Sequence, residues 1–203
     1  MTSSARALTL DDIADLRAYE REREAFREHV IALKKKRRVG VGPIITLVFE
    51  NRDTVRFQIQ EMARAERMLT DEAIQTELDV YNPLIPEPGT LSATMFIELT
   101  TKEELETWLP RLVGVERAVE LRLADGTTVP CTPDASHEQQ LTRDEITASV
   151  HYLSFHLSPA NVETFARGSV VLAVVHPSYA AETPLAEATI TELLRDLRPE
   201  VDN

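Results

Sequence analysis

"VGVGPIITLVFENRDTVRFQIQEMARAER", residues 39–67, decides how this chain is read. Its first part, 39–50, is continuous, apolar and rich in β-branched residues, which reads as a buried strand. The second part, from residue 51 onward, is ambiguous. Val55, Phe57 and Ile59 alternate, as in a hairpin strand after the turn Asn51-Arg52-Asp53. Val55, Ile59, Met62, Ala63 and Leu69 fall on one helical face instead. Asn51 suits the cap of that helix and Asp53 its first turn, where negative charge is favoured. The run "QEMARAERM" strongly favours helix. A helix over 52–69 is therefore expected, with a hairpin strand over 54–60 as the open alternative.

On that helix the polar residues are dense. Arg56, Gln60, Arg64 and Arg67 line one face, with Glu50 and Arg52 at the strand–helix junction and Gln58 nearby. Guanidinium forks match carboxylates and phosphates in bidentate fashion. Glu50, Arg52, Arg56, Gln58, Gln60, Arg64 and Arg67 are thus the candidate ligand-binding set, for an anionic small molecule or a protein partner. The alternative is a solvated helix face laced by internal pairs such as Glu61–Arg64. Because the preceding strand is too apolar to be exposed, Arg56 and Arg64 are expected to meet an acid or an anion rather than bulk water.

Outward from this block the elements have a rhythm. Residues 1–8 read as a disordered tip. A long, narrowly amphipathic helix comes next, with Thr9 as N-cap and Asp12 completing an approximate capping box. Its "KKKRR" run, 34–38, reads as cations at a helix C-terminus. A second helix begins at Thr70 and stops before Pro83. The proline-rich "YNPLIPEPG" is a structural crossover, with a soft boundary near 86–90. Then come a strand at 91–99, a helix capped by Thr100 or Thr101, and a strand with a short hairpin at Asp125-Gly126. A loop over 133–145, a strand at 146–157, a helix capped by Ser158 with Pro159 at its first position, a strand at 169–177 and a helix capped by Thr183 complete the chain. The fold class expected is α+β, mostly antiparallel, with a ferredoxin-like β-α-β-β-α-β section over about 91–176. The N-terminal part, 9–90, adds the long helix, a strand and two helices. Regions 9–90 and 91–203 are expected to form one compact unit.

Composition excludes several functions. With 34 acids against 22 Lys and Arg, the net charge is −12, which opposes nucleic acid as a partner. No apolar stretch approaches the roughly 20 residues that span a bilayer. The lone Cys131 forms no internal disulfide, which fits a reducing cytoplasm. Cys131 has no adjacent base and no evident task. His151 and His156 fall on opposite faces of their strand, and His29, His137 and His176 stand apart, so no metal or other cofactor is expected. Gly40 and Gly42 lack the rest of a phosphate loop, and no nucleophile-elbow motif occurs.

"ALKKKRRVGVGPIITLVFENRDTVRFQIQEMARAER", with "YNPLIPEPGTLSATMFIEL" and "SVHYLSF" downstream, resembles a bacterial family of unknown function, DUF 3501, over nearly the whole chain. The resemblance implies no activity and no catalytic residues. Genes of the family are thought to lie often beside rubrerythrin-like and iron–sulfur oxidoreductase genes. That implies a redox or oxidative-stress setting and a redox protein partner. The function expected is a non-catalytic, cytoplasmic binding or accessory protein acting through residues 50–67. Two alternatives stay open. One is an enzyme whose site is assembled from distant residues, with or without a histidine-bound metal; the other is a structural role for the long first helix in homo-oligomer formation.

Overall fold

The computed structural model describes residues 6–134 and 146–198. The loop expected over 133–145 lies almost entirely outside them, as does His137. Eight strands form one sheet: β1 (Arg38–Val41), β2 (Ile45–Glu50), β3 (Thr90–Ile97), β4 (Val119–Arg122), β5 (Thr128–Pro133), β6 (Val150–His156), β7 (Val171–His176) and β8 (Tyr179–Pro184). Their spatial order is β1-β2-β3-β6-β5-β4-β7-β8, and every neighbouring pair is antiparallel. Six α-helices are described: α1 (Leu16–Arg37), α2 (Arg52–Glu66), α3 (Asp71–Tyr81), α4 (Lys102–Trp108), α5 (Pro159–Ala166) and α6 (Glu187–Leu197).

The sheet curls until its edges almost meet. Across the seam between β8 and β1, the Tyr179 hydroxyl donates to the Val41 carbonyl at 2.5 Å and the Thr183 hydroxyl to the Gly40 carbonyl at 2.7 Å. Closing a sheet in this way removes most of its exposed edge. The result is a nearly closed antiparallel barrel, not the ferredoxin-like arrangement expected. A ferredoxin-like section would place β7 beside β3. That edge of β3 is already occupied by β2, so β7 pairs with β4 instead.

Three local readings change with the topology. Residues 39–50 are two strands, because Gly42 adopts φ 69° and turns the chain at Gly42-Pro43. The hairpin at Asp125-Gly126 separates two full strands, β4 and β5. β8 covers Thr183, so the last helix starts after Ala186 rather than at Thr183. Near the N-terminus, Thr9 and Asp12 do form a capping box, but around a short 3-10 turn. α1 begins later, where Asp15 accepts from the Ala18 N–H. Leu8 is buried rather than part of a disordered tip.

α2 is helical throughout 52–66. Asn51 accepts from the Thr54 N–H, and Arg67, in left-handed conformation, ends the helix. Its start is held close to the sheet because β2 runs directly into Asn51. Alternation along β2 sends Ile45, Leu47 and Phe49 into the barrel, with Leu91, Met95, Leu153 and Phe155 from β3 and β6. The opposite face of the same strands carries Val48, Glu50, Thr94 and Tyr152 and lies under α2 and α3. There Val55, Ile59, Leu78, Leu84, Ile85 and Leu8 build a second, smaller core. Each such buried side chain contributes roughly 1.5–3 kcal/mol. The polar exceptions on this sheet face are therefore informative.

The seam yields a sharp comparison. A Cβ at Gly42 would stand 2.3 Å from the Tyr179 hydroxyl and 2.9 Å from the Ala181 Cβ, at a positive φ; one at Gly40 would meet nothing within 4 Å. Gly42→Ala is expected to lower the unfolding free energy by about 2–3 kcal/mol, combining overpacking and backbone strain. Gly40→Ala is expected to change it by less than about 0.5 kcal/mol. Urea denaturation of the two variants checks this pair.

Candidate functional site

α2 has two polar faces, and they do different things. One faces α1. Arg52 donates to Asp12 at 2.5 Å and to the Arg6 carbonyl. Arg56 donates to Glu22 at 2.8 Å and to the Asp12 carbonyl, and its guanidinium lies 4.7 Å from the centre of the Phe26 ring. Arg64 pairs with Glu20. Buried Gln60 accepts from the Ala14 N–H and donates to the Ala14 carbonyl. Arg67 is exposed at the helix end. Arg56 and Arg64 thus do meet acids, and the acids belong to α1. These side chains clamp α1 onto α2.

Glu61 completes the clamp. It accepts two bonds from Arg23, at 2.8 and 3.0 Å, and one from the Tyr19 hydroxyl at 2.8 Å. The Arg23 bonds, more than any other cause, hold the Glu61 carboxyl below its usual range; burial opposes them and Tyr19 assists. Burial and the Glu61 bond push the Tyr19 phenol well above its usual range.

The other face of α2 borders a cavity of about 260 Å³ lined by Lys34, Arg38, Val48, Glu50, Thr54, Val55, Gln58, Tyr81, Leu84, Thr94, Phe96, Val150 and Tyr152. Strand register explains its wall: Val48 is opposite Thr94, Thr94 opposite Tyr152, and Phe96 opposite Val150, so one sheet face supplies all five. Glu50, Thr54, Val55 and Thr94 are buried and make the floor. Lys34 in the last turn of α1, Arg38 and Gln58 stand at the mouth. Of the seven residues expected to bind a ligand, Glu50 and Gln58 line this cavity.

The Glu50 carboxylate accepts one hydroxyl at each oxygen, from Thr54 at 2.5 Å and from Thr94 at 2.7 Å. Tyr81 and Tyr152 share a hydrogen bond, and Gln58 reaches Tyr81. Burial, followed by the neighbouring Tyr81 phenol and Glu50 carboxyl, pushes the Tyr152 phenol up to about 12. It is therefore a protonated hydrogen-bonding group at neutral pH. At the mouth, Arg38 donates to Glu98 at 3.3 Å. Lys34 is half-buried, and its side chain has no ion pair or hydrogen bond among the described residues.

Behind the cavity is an ion cluster that local pattern reading does not reveal. Arg37 is fully buried. It donates in bidentate fashion to Asp196 at 2.7 and 3.1 Å, to Glu192 at 3.0 and 3.3 Å, and to the Glu50 carbonyl at 3.4 Å. Burial works against the Arg37 charge, but the bonds to Asp196 and Glu192 hold it, so the guanidinium is firmly protonated. Burial raises the Asp196 carboxyl despite that partner. Two sequence signals bear on this cluster: Arg37 continues the Val30–Leu33 spacing of the buried stripe, and Glu192 and Asp196 lie four apart beside Leu193 and Leu197.

The remaining candidates are placed singly. The Cys131 thiol is buried, donates to the Glu116 carbonyl at 3.1 Å, and is pushed up to about 11 by burial. The His151 side chain is buried on the barrel side, with its Nε2 2.9 Å from the Ala148 carbonyl and 3.0 Å from the Thr147 hydroxyl. His176 bonds to the Val113 carbonyl, and His156 lies outside beside Thr90 and Ser154. No helix among the described residues is long and apolar enough to cross a membrane.

Fold and cavity together define an α+β protein with a helix-covered, nearly closed antiparallel barrel and a crevice on its outer face. The chain belongs to the family described as Protein of unknown function (DUF3501), whose model matches residues 7–197. A solved structure, a novel protein of unknown function from Burkholderia pseudomallei K96243, is similar at 35% identity and a TM-score of 0.86, over 95% of this chain and all of that one. No curated protein matches the chain.

The α1–α2 clamp has a pH signature. A carboxyl depressed in the folded state contributes stability that is present above its unfolded pKa and lost as pH falls through the folded value. Glu61→Gln is expected to cost about 1–2 kcal/mol at pH 7. The difference from the parent should fade below about pH 4, where the unfolded carboxyl takes up its proton. Denaturation curves measured across this range check both the sign and the window.

Proposed function

We propose that this protein is a non-catalytic binding protein whose ligand is a small organic molecule with an anionic group, held in the crevice between α2 and the outer face of β2, β3 and β6. One observation carries the reading: Lys34, a half-buried cation with no protein partner among the described residues, lines the same cavity as apolar Val55, Leu84 and Phe96. Concave, largely apolar pockets with a few converging polar groups are the usual form of ligand sites. Lys34 would take the anionic group, with Arg38 beside it, and the phenols of Tyr81 and Tyr152 and the amide of Gln58 would supply directional bonds. This moves the anion from the arginine face of α2, whose forks already meet α1, to its opposite side. The redox setting and redox protein partner remain what the family resemblance implies; the reading here needs neither.

Walls drawn from segments as distant as 34 and 152 also suit an enzyme. The Tyr152 phenol, pushed up to about 12 by burial, is protonated at neutral pH and can donate a hydrogen bond to a bound ligand. Calorimetric titration with p-methylbenzoate, a rigid apolar body with one carboxylate, tests the binding reading. Saturable binding is expected, weakened about fivefold by Lys34→Ala, as for one partly exposed charge contact. No heat of binding at millimolar probe would refute it.

A further inference from the structure

The floor of the cavity poses a charge problem. Glu50 is 9% exposed, and among the described residues no cation pairs with it. Its two bonds come from threonine hydroxyls, which satisfy lone pairs but bring no positive charge. Arg37 is close by and touches the Glu50 carbonyl, yet its fork is committed to Asp196 and Glu192. Lys34 borders the same cavity without forming an ion pair. A buried carboxylate without a counter-charge is unfavourable by several kcal/mol as an order of magnitude. A carboxylate also has about four acceptor positions, and the hydroxyls occupy two. The floor is therefore complementary to a cation that donates hydrogen bonds.

We propose that the ligand is zwitterionic: its ammonium group binds Glu50 at the floor, its apolar body lies against Phe96 and Val55, and its carboxylate meets Lys34 at the mouth. The proposal rests on the binding reading above and adds the ligand's second charge. A metal ion is the weaker occupant of the floor. No group of three His, Cys, Asp or Glu side chains able to hold one occurs among the described residues, and Glu50 is the one carboxylate lining the cavity. Opposite charges at the two ends of a confined cavity also fix the ligand's direction, which an anion site alone would leave open.

A matched series of rigid probes tests this on the full chain by calorimetric titration. p-(Aminomethyl)benzoate carries both charges; p-methylbenzoate and p-methylbenzylamine carry one each; p-(hydroxymethyl)benzoate replaces the ammonium with a neutral donor. The zwitterion is expected to bind at least about tenfold more tightly than any of the other three. Glu50→Gln is expected to abolish that advantage, so that the variant binds the zwitterion no more tightly than p-(hydroxymethyl)benzoate. If Glu50→Gln does not fold, the probe series on the parent protein decides alone. Equal affinity for the zwitterion and p-methylbenzoate would overturn the ammonium seat but leave the anion reading standing. Equal affinity for the zwitterion and the hydroxymethyl probe would show that Glu50 wants only a neutral donor, and would also overturn it. No binding by any of the four would defeat both readings.

Discussion

The bond network of Arg37 is the constraint on which the rest depends. A guanidinium with no solvent exposure needs partners, and this one joins three parts of the chain: the end of α1, the end of β2 through the Glu50 carbonyl, and α6 through Glu192 and Asp196. Removing one partner of such a cluster commonly costs about 3–5 kcal/mol, because the remaining charges stay buried. The consequence for the site is positional. With Arg37 fixed inward, Lys34 one turn earlier and Arg38 one residue later are held at the mouth of the crevice. The same network anchors the backbone of Glu50, whose side chain forms the floor.

α2 supplies the second constraint. Its sequence is arginine-rich because it docks a very polar helix and the turn before it: Arg52 pairs with Asp12, Arg56 with Glu22 and Arg64 with Glu20, its own Glu61 takes Arg23 of α1, and Phe57 meets Phe26 edge-on. Val55 and Ile59 are thereby left for the small core over the sheet, and Thr54, Val55 and Gln58 for the cavity. Exposed pairs contribute little singly, but these lie beside Tyr19 and Gln60, which are fully buried and bonded to Glu61 and Ala14. The clamp thus keeps one side of α2 in place while the other presents a binding wall.

Local structure was largely legible in the sequence, and pairing was not. The caps at Asn51, Thr70, Thr101 and Ser158 mark real helix starts, because each depends only on a side-chain oxygen accepting from the backbone N–H three residues later. The strand order is set instead by which edge is free, and nothing in residues 91–176 announces that β2 takes the outer edge of β3. β8 is hard to read because "YAAETP" is short and mostly small or polar; its place comes from the seam bonds to Gly40 and Val41. Of the cavity lining, only Glu50 and Gln58 were among the sequence candidates. Glu50 and Gln58 were visible as unusual polar residues beside an apolar strand. Lys34, Arg37, Tyr81, Thr94 and Tyr152 converge only through tertiary packing, and Arg37 was hidden within a basic run that otherwise behaves as solvated helix-end charge.

The central claim is that the crevice under α2 is a directed ligand site with an acidic floor and a cationic mouth. The most direct measurement is a crystal structure of the protein with p-(aminomethyl)benzoate bound. The account predicts the probe inside the crevice, its nitrogen within about 3 Å of a Glu50 carboxylate oxygen and its carboxylate toward Lys34. A probe bound elsewhere, or seated in the crevice with its carboxylate toward Glu50, would contradict it.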